Sequence, residues 1–313
     1  MTASDAARLL RWYPAAWRER YGDELVALME DELGGRDTSI RFRLSIALAG
    51  LRERAHGAGI VGRGASAAER ARAGALLVLC AWTTFVVAGA SFAKLSEHFD
   101  AAVPRASRGL PGGAYRQVQI VSVVAAALLV VAGCCVLPAF MRFVRRGGWS
   151  LIARAVWQAT VPSAALAVAI VPLAAWAHHL SYGQRNGTDA AYSAAVVAAA
   201  ALLVAVLGLW TRAAVVAGRR LELGRGVLAA VSSLAIGVAA SMVAMTVGTA
   251  IWWAVMAEHA PWFLHGTPAG SGGSPFNPQL AATMALMAAS VALGQYGVAR
   301  IGRSWLELRR ATP

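Results

Sequence analysis

Apolar residues fill long uncharged blocks over most of this chain and form spaced stripes only near its start. Between Arg72 and Lys94 there are 21 consecutive residues without a charge, and comparable stretches recur five more times before Arg300. The windows are Ala73 to Ala93, Val118 to Met141, Ala155 to Ala177, Ala190 to Trp210, Val227 to Met256 and Leu280 to Ala299. Each is near the roughly 20 residues that an α-helix needs to cross the hydrocarbon core of a bilayer. None holds Asp, Glu, Lys, Arg or His, as expected when a charge at mid-membrane costs about 2.5–3.5 kcal/mol on insertion scales. The pattern predicts an all-α fold, a six-span transmembrane helix bundle over residues 73–299.

Before the first window the period changes. Residues 1–57 carry stripes at three- and four-residue spacing, which predict a small cytoplasmic module of three helices. Asp5 can cap a short helix over Ala6 to Trp12, and Pro14 opens a second with the register Trp17, Tyr21, Leu25, Leu28, Met29 and Leu33, ended by Gly34 and Gly35. Asp37 or Thr38 can cap the third, in which Ile40, Leu44, Leu48, Leu51 and Ala55 make one stripe while Arg41, Arg52, Glu53 and Arg54 lie mostly elsewhere. These stripes are expected to pack on one another. A unit this small buries little surface, so a partner or the membrane is expected to complete it. Residues 58–72 read as a Gly-rich linker and 300–313 as a cytoplasmic tail.

Composition fits lipid better than water: 58% of the residues are hydrophobic and 14% charged. The net charge of +13 is a topology signal, because its distribution is uneven. The segment before the first window, the second and fourth loops and the tail hold 24 Lys and Arg, against 5 in the other loops. Basic residues near span ends stay inside, so both termini belong in the cytoplasm and the protein is expected to be multi-pass in the plasma membrane. Lys94 is the one lysine among 29 basic residues, a bias toward arginine that fits GC-rich codon use and so a bacterial source. Six crossings satisfy this, whereas five would put Arg212, Arg219, Arg220 and Arg225 outside. Anionic lipid heads are a second attraction for these arginines, and no groove-reading motif accompanies them to imply direct nucleic-acid binding. Trp149, Trp157, Trp176, Trp210, Trp262 and Trp305 fall near window ends, where indoles favour the interface. Trp82 lies mid-window and is expected to pack between helices.

Leu10 to Asp31 reads LRWYPAAWRERYGDELVALMED. Through Tyr13, Pro14, Trp17, Arg18, Arg20, Tyr21, Gly22, Glu24, Leu28, Glu30 and Asp31 it resembles the N-terminal module of many actinobacterial multi-pass membrane proteins. It is also similar to the HTH-associated α-helical signalling domains and the permease-prefix helices. In those families the module accompanies PadR-type winged-helix regulators or precedes ABC-type permease spans, so the resemblance implies protein docking and no catalysis. The chain departs from the permease-prefix proteins in lacking a large exoplasmic domain. Its six windows match no transporter motif.

Candidate chemistry is sparse. There is no G-x-x-x-x-G-K, H-E-x-x-H or G-x-S-x-G, and the windows offer hydroxyls without an ionisable partner. Gly57, Gly59 and Gly62 satisfy G-x-G-x-x-G, but no strand precedes them, so they read as linker. Cys80, Cys134 and Cys135 lie inside windows and read as packing residues. Pro138, Pro162 and Pro172 are expected to bend packed helices. Ser233, Gly237 and Ser241 form a small-xxx-small face for helix packing, within one chain or in a homo-oligomer. Five of the six histidines, His98, His178, His179, His259 and His265, fall in exoplasmic loops; imidazoles converging there would bind a metal, but no H-x-H or H-x-x-x-H pair fixes such a geometry.

The sequence therefore points to a non-enzymatic membrane signalling or regulatory protein without cofactors. Its module is expected to dock a cytoplasmic partner, a transcription regulator or sigma-like factor, through Trp17, Arg18, Arg20, Tyr21, Asp23, Glu24, Glu30 and Asp31. The aromatics would serve as anchors and the charges as selectors. The alternative is a permease-like subunit of an ABC-type export system whose partner is an ATPase.

Overall fold

The computed structural model describes residues 9–33, 39–57, 66–97, 99–180, 189–265, 267, 274 and 276–310. The expected caps Asp5, Asp37 and Thr38, the stops Gly34 and Gly35, the glycines Gly59 and Gly62, and His98 lie outside those residues. Among the described residues the fold is all-helical, with no strand. Among the described residues, Leu9 and Leu10 are helical and two further helices precede the apolar region, α1 (Ala15–Leu33) and α2 (Ile40–Gly57). Six longer ones follow: α3 (Ala67–Leu95), α4 (Leu110–Phe143), α5 (Trp149–His179), α6 (Ala190–Arg220), α7 (Arg225–His259) and α8 (Pro278–Arg310).

Among the described residues, five helical stretches are long and apolar enough to cross a membrane by length and composition. One of them, Leu110–His179, runs for 70 residues, which at about 1.5 Å per residue is roughly 105 Å and far exceeds a bilayer. It breaks at Val144–Gly148, where Arg146 leaves helical geometry and Gly147 has φ +83°. That left-handed backbone suits glycine and separates α4 from α5.

The helices alternate in direction, and side chains record it. Along α3 and α8, Arg70 pairs with Glu307, Thr84 bonds Ser290 at 2.9 Å and Ser91 bonds Thr283 at 2.8 Å. Along α3 and α6, Arg72 faces the carbonyls of Gly218, Arg219 and Leu221, and Thr83 bonds Thr211 at 2.7 Å. Along α5 and α6, Trp176 meets Tyr192 at one end and Arg220 meets the Leu151 carbonyl at the other. Gln117 of α4 donates to Ala244 O of α7. One end of the bundle thereby collects Arg70, Arg72, Arg219, Arg220, Arg225 and Arg309.

The packing centre is α3, α7 and α8; α4 lies on α7, α6 on α3, and α5 on α6. At the α3–α8 crossing two backbones come close together. A Cβ on Gly74 would meet Gly297 O at 2.8 Å, and a Cβ on Gly297 would meet Gly74 O at 2.8 Å. Small residues let backbones come together where apolar side chains gain nothing from leaving lipid. Toward the opposite end, Phe92, Phe99, Trp252 and Phe263 pack edge to face around the fully buried Trp252 indole. Trp82 is half-buried against the same core and stacks on Phe85.

The outward faces of α4 and α5 carry Val123, Val130, Val161, Val168 and Val171, all exposed. An apolar surface this continuous on long helices marks a protein embedded in a membrane. The helices outrun the uncharged windows at the arginine-rich end: Ser66 and Glu69 form a capping box that starts α3 at Ala67, inside the stretch read as linker, and α8 continues to Arg310.

Candidate docking site

The N-terminal helices meet through a turn. Trp12 N and Tyr13 N donate to Leu9 O and Leu10 O, and Pro14 then begins the approach to α1. Tyr13 is 4% exposed, and its phenol is pushed above the usual tyrosine value by burial, with the Glu53 carboxylate adding to the effect. The ring stacks on Trp17 at 4.2 Å, Trp17 leans on Tyr21 at 5.4 Å, and the Arg20 guanidinium lies 5.3 Å from the Tyr21 ring centre. These rings make a ladder along the start of α1, because residues three and four apart share a helix face.

The proposed docking residues therefore divide. Trp17 is half-buried in the ladder, so it is as much support as anchor. Arg18, Arg20, Tyr21, Asp23, Glu24 and Asp31 are exposed, and the side chain of Glu30 lies outside the described residues. Pattern alone missed Trp12 and Leu28, which are also open to solvent at 44% and 64%. Leu28 and Met29 both belonged to the stripe expected to turn inward; Met29 is buried and Leu28 is not.

The stripe assigned to α2 is likewise corrected over its first three residues, the side chains of Leu51 and Ala55 lying outside the described residues. Ile40, Leu44 and Leu48 are exposed, whereas Phe42 and Ile46 are half-buried and Gly50 is buried. The reason is a close contact: a Cβ on Gly50 would meet Trp12 Cβ at 2.7 Å and Tyr13 Cδ2 at 2.9 Å. Only glycine admits the Trp12–Tyr13 turn there, and that fixes which face of α2 looks inward. The helix is capped by Ser39, whose hydroxyl accepts from Phe42 N at 3.2 Å.

Elsewhere the expected residues come together only in part. Ser241 is buried and donates to Gly237 O, and Gly237 faces Leu128 of α4, whose Cδ1 would lie 3.0 Å from an added Cβ. Ser233 is exposed on a cleft of about 400 Å³ between α7 and α8, with Arg225 and Arg309 at its edges and Trp305 on its wall. His178 and His179 end α5, His259 ends α7 with Nδ1 3.1 Å from Val255 O, and His265 Nε2 lies 2.6 Å from Ser274 O. Among the described residues no group of three His, Cys, Asp or Glu is placed to hold a metal ion. Cys134 and Cys135 are free, as is Cys80.

These features define the class: an all-helical, membrane-embedded protein with a short helical segment ahead of its apolar helices. Comparison with protein-family models, with curated proteins and with solved structures returns no match.

Proposed function

We propose that the chain is a six-span regulatory protein of the bacterial plasma membrane that works by holding and releasing a soluble cytoplasmic partner. Both termini and the arginine-rich connections lie on the cytoplasmic side, where basic residues near span ends are retained. The break at Gly147 and the alternation of α3 to α8 support six crossings, since they gather the basic connections at one end.

The observation that carries the docking reading is the surface of α1 and of the turn before it. Trp12 in the turn and Tyr21 and Leu28 on the helix stand open, and the exposed charges of α1 include both signs, from Arg18 and Arg20 to Asp23, Glu24 and Asp31. Apolar anchors ringed by charges give a partner burial and selection together. The resemblance to signalling-domain helices points the same way. The mechanism has no chemical step: the partner, a transcription regulator or sigma-like factor, is kept at the membrane until a change in helix packing alters the module.

The test is retention of a partner by the full chain in detergent. A DNA-binding protein should co-purify, and joint alanine replacement of Arg18, Arg20, Glu24 and Asp31 should release it. Unchanged retention by that variant removes this face from consideration. Recovery of an ATPase instead moves the assignment to the export-system reading.

A further inference from the structure

Helix α2 has two apolar faces, and among the described residues only one is packed. Phe42, Ile46 and Gly50 follow one another at four-residue spacing; the first two are half-buried and Gly50 meets the Trp12–Tyr13 turn. Ile40, Leu44 and Leu48 follow at the same spacing on another face and are 77%, 57% and 64% exposed. At about 100° per residue, Arg41 falls on one edge of that open stripe and Arg43 on the other. Both arginines are exposed. The sequence repeats the arrangement with Arg52 and Arg54, so α2 carries four arginines against one glutamate.

An aliphatic stripe with arginines along both edges fits an anionic lipid surface. The stripe enters the acyl boundary, while long basic side chains reach sideways to phosphates. Chain length brings the surface within reach. Nine peptide steps separate Gly57 from Ser66, which at about 3.6 Å each allow at most roughly 32 Å between the end of α2 and the start of α3. A helix tethered that closely meets the bilayer at high effective concentration, so modest affinity suffices.

We propose that α2 is an interfacial helix, lying in the head-group layer of the cytoplasmic leaflet with Ile40, Leu44 and Leu48 inserted and Arg41 and Arg43 on anionic lipid phosphates. Gly50 lies on the other face, so this seating holds the turn that leads into α1 away from the lipid. The proposal rests on the membrane reading of α3 to α8 and is independent of what α1 docks.

The experiment uses the full chain with Cys80, Cys134 and Cys135 replaced by alanine, in nanodiscs of phosphatidylcholine with or without phosphatidylglycerol. A fluorophore is placed singly by Leu44→Cys, Leu48→Cys, Ala49→Cys or Val168→Cys, and quenched by a spin label on the lipid acyl chain. Val168 on α5 reports insertion of the bundle, and Ala49 is exposed away from the stripe. The expected result is strong quenching at 168 in both discs, and quenching at 44 and 48 above that at 49 with phosphatidylglycerol present. That excess should be lost in phosphatidylcholine alone and in an Arg41→Glu, Arg43→Glu variant. Quenching at 168 with none in excess at 44 and 48 overturns the proposal while leaving the membrane reading intact. Absence of quenching at 168 overturns the membrane reading itself. Self-quenching between labelled copies without lipid quenching assigns the stripe to a second copy, and protection by an added soluble protein assigns it to that protein; either outcome overturns the proposal.

Discussion

The α3–α7–α8 centre and the α1–α2 segment are built from similar residues and reach opposite solutions. In the centre, Gly74 and Gly297 bring two backbones together, hydroxyl pairs such as Thr84–Ser290 tie the helices, and Trp252 is sealed by aromatic neighbours. In the N-terminal segment a glycine contact and a ladder of rings contribute to the packing, and six large apolar or aromatic side chains among the described residues, Trp12, Tyr21, Leu28, Ile40, Leu44 and Leu48, stay open. The same exposure means different things in the two places. Valines on the outside of α4 and α5 face lipid at no cost, whereas leucines on α2 must find lipid or protein to be accounted for.

The contrast can be broken most sharply at the α3–α8 crossing. Gly297→Ala or Gly74→Ala sets a methyl 2.8 Å from a backbone oxygen, so thermal unfolding in detergent should show a loss of about 1–3 kcal/mol. An unchanged midpoint would mean that the two helices are not in contact. Next comes Arg72, whose Nη1 donates to three carbonyls at the end of α6, the shortest at 2.7 Å to Leu221 O. Arg72→Gln should cost about 1–2 kcal/mol, discounted for partial exposure, and faster amide exchange in the last turn of α6 would report it.

The comparison is sharpened by two substitutions on α2. Gly50→Ala gains about 1 kcal/mol of helix propensity but forces a methyl against Trp12, so amide protection across α2 should fall. Leu44→Ala in detergent should change it by less than about 0.5 kcal/mol, although Leu44 sits in the more regular stripe. The reverse ranking would restore the stripe to the interior. The smallest effect is from pH. Burial raises the Tyr13 phenol above its unfolded value, so its neutral form contributes stability that is fully present below about pH 10 and is lost as pH rises through the folded value. Tryptophan fluorescence of the Trp17 environment should therefore begin to change above about pH 10, with the rest of the bundle unaffected; a change already present near neutrality would contradict the burial of Tyr13.

Legibility followed the strength of the physical constraint. Long uncharged windows admit one reading, because a charge in hydrocarbon is costly and a helix is the simplest way to satisfy a backbone there, and all six windows fall within long helices. The stripes were read less well. A four-residue repeat says that a face exists, yet Ile40–Leu44–Leu48 and Phe42–Ile46–Gly50 both satisfy it, and periodicity does not choose between them. The small-residue face illustrates the same limit: Ser233, Gly237 and Ser241 are conspicuous in sequence, but the mutual backbone contact between α3 and α8 uses Gly74 and Gly297, neither of which stands out until the other is beside it. The described charges of α1, such as Arg18, Arg20, Asp23, Glu24 and Asp31, were placed on the surface by their chemistry, whereas the depth of Trp17 followed from Tyr13 stacking on it.

By itself, then, the sequence determined that the chain is helical, that most of it belongs in lipid, and that its arginines gather in alternate connections. These are properties of each segment's own exchange with water or hydrocarbon, and they need no neighbour. Which helices touch, which glycines are obligatory and which face of α2 stays open were decided only by tertiary structure. Those outcomes depend on side chains distant in sequence competing for the same space, a quantity that exists only once the helices are brought together.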